Sequence, residues 1–155
     1  GLIDMAETSD QLAAVIAHEL GHVAQRDPIE QALRAAGRAG LLSLVLGDAT
    51  GGAALALAGE ALISAKNSRD VEARADYFAL AQMRKAGVSP EALAEFFELL
   101  LEEMGNSALD LGWISSHPPS AARAAHARAA VQLERDYKKT VSPEQWQAIQ
   151  QICAE

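Results

Sequence analysis

AAVIAHELGHV, residues Ala13 to Val23, is the stretch on which the fold and the chemistry of this chain turn. His18 and His22 stand four residues apart, so in a helix their imidazoles share one face, one turn from each other. Ring nitrogens placed that way can both approach one Zn²⁺ to about 2 Å without straining the backbone. Glu19 lies beside that face, in reach of a water on the metal rather than of the metal itself. Gly21 has no side chain, so another segment can come close there. The plain alternative is a helix with two partly exposed histidines and a surface glutamate, but two of the chain's four histidines fall in this one register.

Outward from this stretch the punctuation is helical. Thr8-Ser9-Asp10-Gln11 has the form of a capping box, which predicts a helix from Ser9 to Arg26. Asp27-Pro28 predicts the cap and first residue of a second helix, which fades at Gly47. Thr50-Gly51-Gly52 reads as a turn before an apolar helix over 53–66. Asn67 or Ser68 then caps a helix ending at Gly87, and Ser89-Pro90-Glu91 opens another, closed by Gly105-Asn106. An irregular stretch over 107–120 precedes a helix from Ser120 to Tyr137, and Ser142-Pro143-Glu144-Gln145 opens a last short one. No alternating strand and no repeat is evident. The expectation is an all-α, or nearly all-α, single domain over 1–155 with six or seven helices.

Composition agrees. Half of the 155 residues are hydrophobic but only 5% are aromatic; alanine and leucine, both strong helix formers, carry the apolar content. A net charge of −8 argues against a nucleic-acid partner, which calls for a basic stripe. Cys153 is the only cysteine, so neither an intrachain disulfide nor a multi-thiolate metal site can form. Gly1-Leu2-Ile3-Asp4 does not read as a signal peptide. The apolar region between Leu41 and Ala65 is broken by Asp48, Gly51, Gly52 and Glu60, so it is expected to be buried or to lie against a membrane rather than span one.

A catalytic metal needs a third protein ligand and an open position for water. Ser68-Arg69-Asp70-Val71-Glu72-Ala73-Arg74-Ala75-Asp76 puts Glu72 and Asp76 one turn apart on one face. One carboxylate on the metal and a second fixing a ligand imidazole is a common division of labour. An exposed face with an Asp70–Arg74 pair fits the same residues, and spacing alone barely separates Glu72 from other acids such as Glu60.

The two motifs together resemble the CAAX-endopeptidase and HtpX family of zinc peptidases, which carry HExxH on one helix and S-R-x-x-E-x-x-A-D on a later one. The resemblance implies a zincin-type helical core of the gluzincin kind, with His18, His22 and Glu72 as zinc ligands, Asp76 behind them and Glu19 as general base. Ser116-His117-Pro118-Pro119 with Arg123 is similar to the family's H-P-x-x-x-x-R signature, nearest to its soluble bacterial envelope and mitochondrial inner-membrane branches. It implies that His117 stabilises the transition state or caps the metal in a latent form, and that Arg123 anchors the loop or binds a substrate carboxylate. His126 has no counterpart and is expected at the surface or an interface; Phe96, Phe97 and Trp113 are expected in the core.

The implied activity is zinc-dependent endopeptidase hydrolysis of unfolded or misfolded polypeptides in the bacterial periplasm or envelope. The competing expectation is a zinc-binding, non-proteolytic chaperone-like or regulatory domain. Family members carry a β-segment upstream of the motif helix, and only 17 residues precede His18 here. The chain is therefore expected to be a fragment of a longer protein, with Gly1-Leu2-Ile3 as the tail of a lost strand. An apolar face uncovered in this way is expected to favour a homodimer or peripheral membrane association.

Overall fold

The Thr8 backbone is extended (φ −134°, ψ 154°), and its hydroxyl accepts a hydrogen bond from the Gln11 amide. The Gln11 side chain in turn accepts from the Glu7 amide at 2.8 Å. With orphan donors satisfied on both sides, the chain enters helix α2, Ser9–Gln25, immediately after a short α1, Leu2–Met5. Helices α3 (Asp27–Leu46), α4 (Ala53–Ala86), α5 (Glu91–Met104), α6 (Ala121–Ala129) and α7 (Pro143–Gln151) follow. The computed structural model of the protein describes residues 2–46, 53–104, 114 and 116–152, with the side chains of residues 35 and 39–67 outside that description. Among the described residues there are seven helices and no strand, so the chain is an all-α core.

Four sequence expectations are corrected. Leu2 and Ile3 are helical rather than the tail of a strand; with no neighbouring strand described, a single turn pairs the Ala6 amide with Leu2 O at 3.0 Å. Residues 53–86 form one helix of 34 residues, about 50 Å long, not two. Asn67 and Ser68 favour caps but do not forbid helix, and no proline interrupts the run. The helix after Ser120 stops at Ala129 rather than Tyr137. There the Tyr137 hydroxyl accepts from the Gln132 amide, the Lys138 amide reaches Gly87 O at 2.7 Å, and Thr140 binds Asp10 through both amide and hydroxyl. Asp27, finally, does not cap α3: Arg26, in the left-handed region at φ 58°, offers its carbonyl to the Ile29 and Glu30 amides. The expected turn at Thr50-Gly51-Gly52, the stop at Gly105-Asn106, Trp113, Cys153 and Gly1 lie outside the described residues.

Helix α2 lies along α4, and α5 packs on α6. Phe96, Phe97, Leu80, Leu93 and Leu100 fill the centre, with Ala14, Ala75, Ala79 and Ala94 fully buried between the helices. The alanines set the spacing, because small side chains let backbones approach. The closest approach is at Gly21, where a Cβ would stand 2.9 Å from the Ala75 Cα and 3.0 Å from its carbonyl oxygen. No described helix is long and apolar enough to cross a membrane.

Replacing a mid-helix glycine by alanine ordinarily gains up to about 1 kcal/mol. Here the clash is with backbone, so Gly21→Ala is expected to destabilise the fold by about 1–3 kcal/mol. Urea unfolding checks this, and a stabilised variant would mean that α2 and α4 are not in contact at this point.

Candidate metal centre

The Gly21–Ala75 crossing brings the His18/His22 face of α2 against the Glu72/Asp76 face of α4. Both histidines are buried, as are Glu72 and Asp76. His18 Nε2 lies 3.1 Å from His22 Nε2 and 3.3 Å from Glu72 Oε2, and His22 Nε2 lies 3.5 Å from Glu72 Oε1. His117, on the bend just before α6, brings Nδ1 to 3.2 Å from Glu72 Oε1 and 3.4 Å from His18 Nε2. Ligand atoms of all four residues fall within 4.8 Å of one another.

These separations test the fit to a metal. Nitrogen and oxygen donors about 2.0–2.1 Å from one ion at tetrahedral angles stand about 3.3–3.4 Å apart. Five of the donor separations, 3.1 to 3.5 Å, bracket that edge length, and all four ligand atoms lie within 4.8 Å of one another. Three imidazoles and one carboxylate form a borderline-soft set of the kind that divalent transition metals take.

Each helical histidine is held from behind. His18 Nδ1 lies 2.9 Å from Asp76 Oδ1, and His22 Nδ1 lies 2.9 Å from Asp27 Oδ2. With Nδ1–H donating to a carboxylate, each ring turns the Nε2 lone pair inward. Each carboxylate is itself tied to an arginine. Arg123 donates from Nε and Nη2 to Asp76 at 2.7 and 2.8 Å, and Arg74 Nη2 donates to Asp27 at 2.9 Å.

The electrostatics follow from these partners. Burial would raise the Glu72 carboxyl, but hydrogen bonds from His117 and His18 and the Arg123 charge hold it well below the usual carboxylate range. Burial likewise opposes the Asp76 carboxylate, and Arg123 and His18 outweigh it, so its pKa is lowered. Burial disfavours His18 imidazolium, yet Asp76 and Glu72 carry its pKa above the ordinary histidine value. Both carboxylates are thus kept ionised at the site.

Glu19 projects from the same turn of α2 and is 41% exposed, with Oε1 3.5 Å from His117 Nε2. It borders an open cleft of about 260 Å³ shared with His22, Asp27, Glu72 and His117. Arg123 is only 11% exposed; besides Asp76 it contacts Glu72 Oε2 at 3.1 Å and donates to Pro118 O at 2.9 Å, the geometry of a loop anchor. Arg74 turns to Asp27, Gln25 and Glu30. His126 packs edge-on against Tyr77, outside this group of donors. The side chain of Glu60 lies outside the described residues.

Asp27 is the residue that motif reading misses. It is fully buried, and spacing does not reveal it, because the left-handed Arg26 between two helices turns it back toward His22. The one available signal is an aspartate five residues after the second motif histidine.

The chain is similar to known metalloproteases. Peptidase family M48 matches residues 1–131. Metalloprotease YcaL of Escherichia coli K12 is 33% identical over 83% of this chain and 51% of its own length. Metalloprotease LoiP of the same organism is 35% identical over 83% of this chain and 52% of its own length. A putative beta-barrel assembly-enhancing protease of Vibrio cholerae is 33% identical over 76% of this chain and 27% of its own length. The chain thus spans about half the length of the first two relatives. No solved structure matches.

Removing a carboxylate that orients a ligand imidazole typically costs about 10–100-fold in metal affinity. Asp27→Ala is expected to weaken Zn²⁺ binding by about that factor, and Asp27→Asn by less, since its amide oxygen still accepts from His22. Competition titration with a chromophoric chelator measures both; wild-type affinity in Asp27→Ala would show that the contact does not position His22.

Proposed function

The chain belongs to peptidase family M48, and from that membership we propose that it serves as a zinc-dependent metalloendopeptidase core acting on unfolded or misfolded polypeptides in the bacterial envelope. The observation that carries the reading is a group of four donors, His18, His22, Glu72 and His117, whose ligand atoms lie within 4.8 Å of one another, with a partly exposed carboxylate, Glu19, beside it. The envelope is supported by the Vibrio cholerae relative, whose name joins a protease to beta-barrel assembly. Exposed Ile16, Leu20 and Val23 on α2, with Ile29 and Leu33 on α3, offer an apolar face for the homodimer or peripheral membrane contact expected from the sequence.

His18 and His22 would hold the metal through Nε2 and Glu72 through its carboxylate. Bound there, Zn²⁺ supplies Lewis-acid chemistry, polarising a carbonyl and lowering the pKa of water toward about 7. Asp76 and Asp27 keep the two helical imidazoles in the Nδ1–H tautomer. Glu19 accepts a proton from the attacking water and returns it to the leaving amine, work suited to a carboxylate that reaches solvent. Arg123, neutralised by Asp76, ties the His117 loop to α4.

His117 would add a fourth protein donor, whereas a catalytic site keeps three protein ligands and an open position, so we read the present arrangement as a resting one. In a working arrangement its imidazole would instead donate to the developing oxyanion, a contribution of about 3 kcal/mol in comparable sites. A closed four-ligand centre is also what a purely structural zinc site looks like, which favours the non-proteolytic alternative on that one point. Glu19 supports the peptidase reading, since hydrolysis calls for a carboxylate beside the ligands and a structural site does not.

Glu19→Gln is therefore expected to bind one Zn²⁺ per chain with wild-type affinity while cleaving casein at least about a hundredfold more slowly. The wild-type cleavage should stop with a chelator and return with Zn²⁺. Equal turnover by the variant, or chelator-insensitive cleavage, would remove the proposed mechanism.

A further inference from the structure

Arg74 spans a corner of the backbone. Its Nε donates to Gln25 Oε1 at 2.8 Å and its Nη2 to Asp27 Oδ1 at 2.9 Å, with Glu30 Oε2 at 3.5 Å. Gln25 is the last residue of α2, and Asp27 is the first of α3. Between them stands Arg26, in the left-handed region at φ 58°, which favours glycine and disfavours a residue with a Cβ. One guanidinium on α4 therefore grips both sides of a turn that local preference opposes. The fixed, planar spacing of its N–H groups suits that task, and the single point of charge on an ammonium does not.

The corner matters because Asp27 faces two ways. Its Oδ1 accepts from Arg74, and its Oδ2 lies 2.9 Å from His22 Nδ1. Asp27 is fully buried, so its carboxylate keeps this position only while both partners hold it. His18 has partners in the same order, Asp76 and then Arg123, but the two arms are built differently. Arg123 reaches in from α6 and is 11% exposed, whereas Arg74 stands on α4 close to Glu72 and is 43% exposed. Helix α4 thus carries one donor, Glu72, and also the outermost support of a donor on another helix, His22.

We infer that Arg74 is a positioning residue for the metal centre: by locking the left-handed corner between α2 and α3, it presents Asp27 to His22 and fixes that ring for coordination. This role requires a metal-binding centre but holds whether the centre is catalytic or structural. It makes the forked shape of the guanidinium, rather than its charge, the working property. Shape and charge predict opposite signs. A cation near a divalent ion repels it, so removing the Arg74 charge would by itself tighten metal binding. Releasing the corner loosens it.

The test compares wild type with Arg74→Ala, Arg74→Lys and, as a control for lost surface charge, Arg128→Ala, whose side chain pairs with Glu91 and Glu98 on α5. Zn²⁺ affinity is measured by chelator competition, and urea unfolding of the metal-free proteins is followed alongside. The direct partner of a ligand imidazole typically contributes about 10–100-fold; one step further out, Arg74→Ala is expected to weaken Zn²⁺ binding about 3–10-fold. Arg74→Lys should lose nearly as much, and Arg128→Ala nothing. In an Asp27→Ala background, Arg74→Ala should add little further loss, because its effect runs through Asp27. Nuclear magnetic resonance of the metal-free protein supplies a readout at the ring itself. The His22 Nδ1–H should exchange faster with water in Arg74→Ala, while the His18 Nδ1–H keeps its wild-type rate. Unchanged or tighter Zn²⁺ binding in Arg74→Ala, wild-type affinity in Arg74→Lys, or a full additional loss in the Asp27→Ala background would overturn the inference. So would a loss of unfolding stability with no change in affinity or at His22, the mark of a merely structural residue. A wild-type protein that fails to bind Zn²⁺ would count against the metal centre itself, and the His22 proton would still decide whether Arg74 holds the ring.

Discussion

Gathering three imidazoles and a carboxylate so that their ligand atoms lie within 4.8 Å of one another, largely withdrawn from water, is the constraint around which the rest of this structure is arranged. Such groups repel one another, and burial removes the water that would screen them. Two things make the arrangement tolerable. A cation at their common point turns the repulsion into coordination, and the paired aspartates behind His18 and His22 decide which ring nitrogen faces inward. Each aspartate needs its own countercharge once buried, and Arg123 and Arg74 supply it. The site is a set of nested pairs in which every charge answers the one before it.

The helices are shaped by the same requirement. Ligands from α2 and α4 can meet only if the two backbones nearly touch, and the Gly21–Ala75 crossing is where they do. The long, uninterrupted α4 carries Glu72 and Asp76 one turn apart, so one element provides both a donor and the support for another donor. Arg123 reaches Asp76 from α6 while binding Pro118 O, which ties the His117 loop to the helix that carries Glu72. Its guanidinium also lies 4.2 Å over the Phe97 ring, joining the polar centre to the aromatic core.

Much of this is legible in the residues alone, for reasons that can be named. The i, i+4 spacing of His18 and His22 fixes a shared face before any tertiary contact exists, and the Ser142 and Thr8 capping signals act within one turn of the chain. Glu72 is different: its spacing does not separate it from other acids, and only the resemblance to known peptidases carried by Ser68-Arg69 and Ala75-Asp76 singles it out. Asp27 escaped altogether, because its path to His22 depends on a left-handed arginine, a backbone choice that side-chain identity does not announce. The end of α6 escaped for a related reason. Residues 130–137 have adequate helix propensity, and it is their contacts with Gly87, Asp10 and one another that pull them out of the helix.

The account stands on one metal ion bound by nitrogen and oxygen at the crossing of α2 and α4. X-ray absorption at the zinc edge of the metal-loaded protein tests this most directly. It should show four nitrogen or oxygen neighbours at about 2.0–2.1 Å, with the outer-shell pattern of at least two imidazoles. Six oxygen neighbours without imidazole scattering, or a sulfur at about 2.3 Å, would place the metal elsewhere and contradict it.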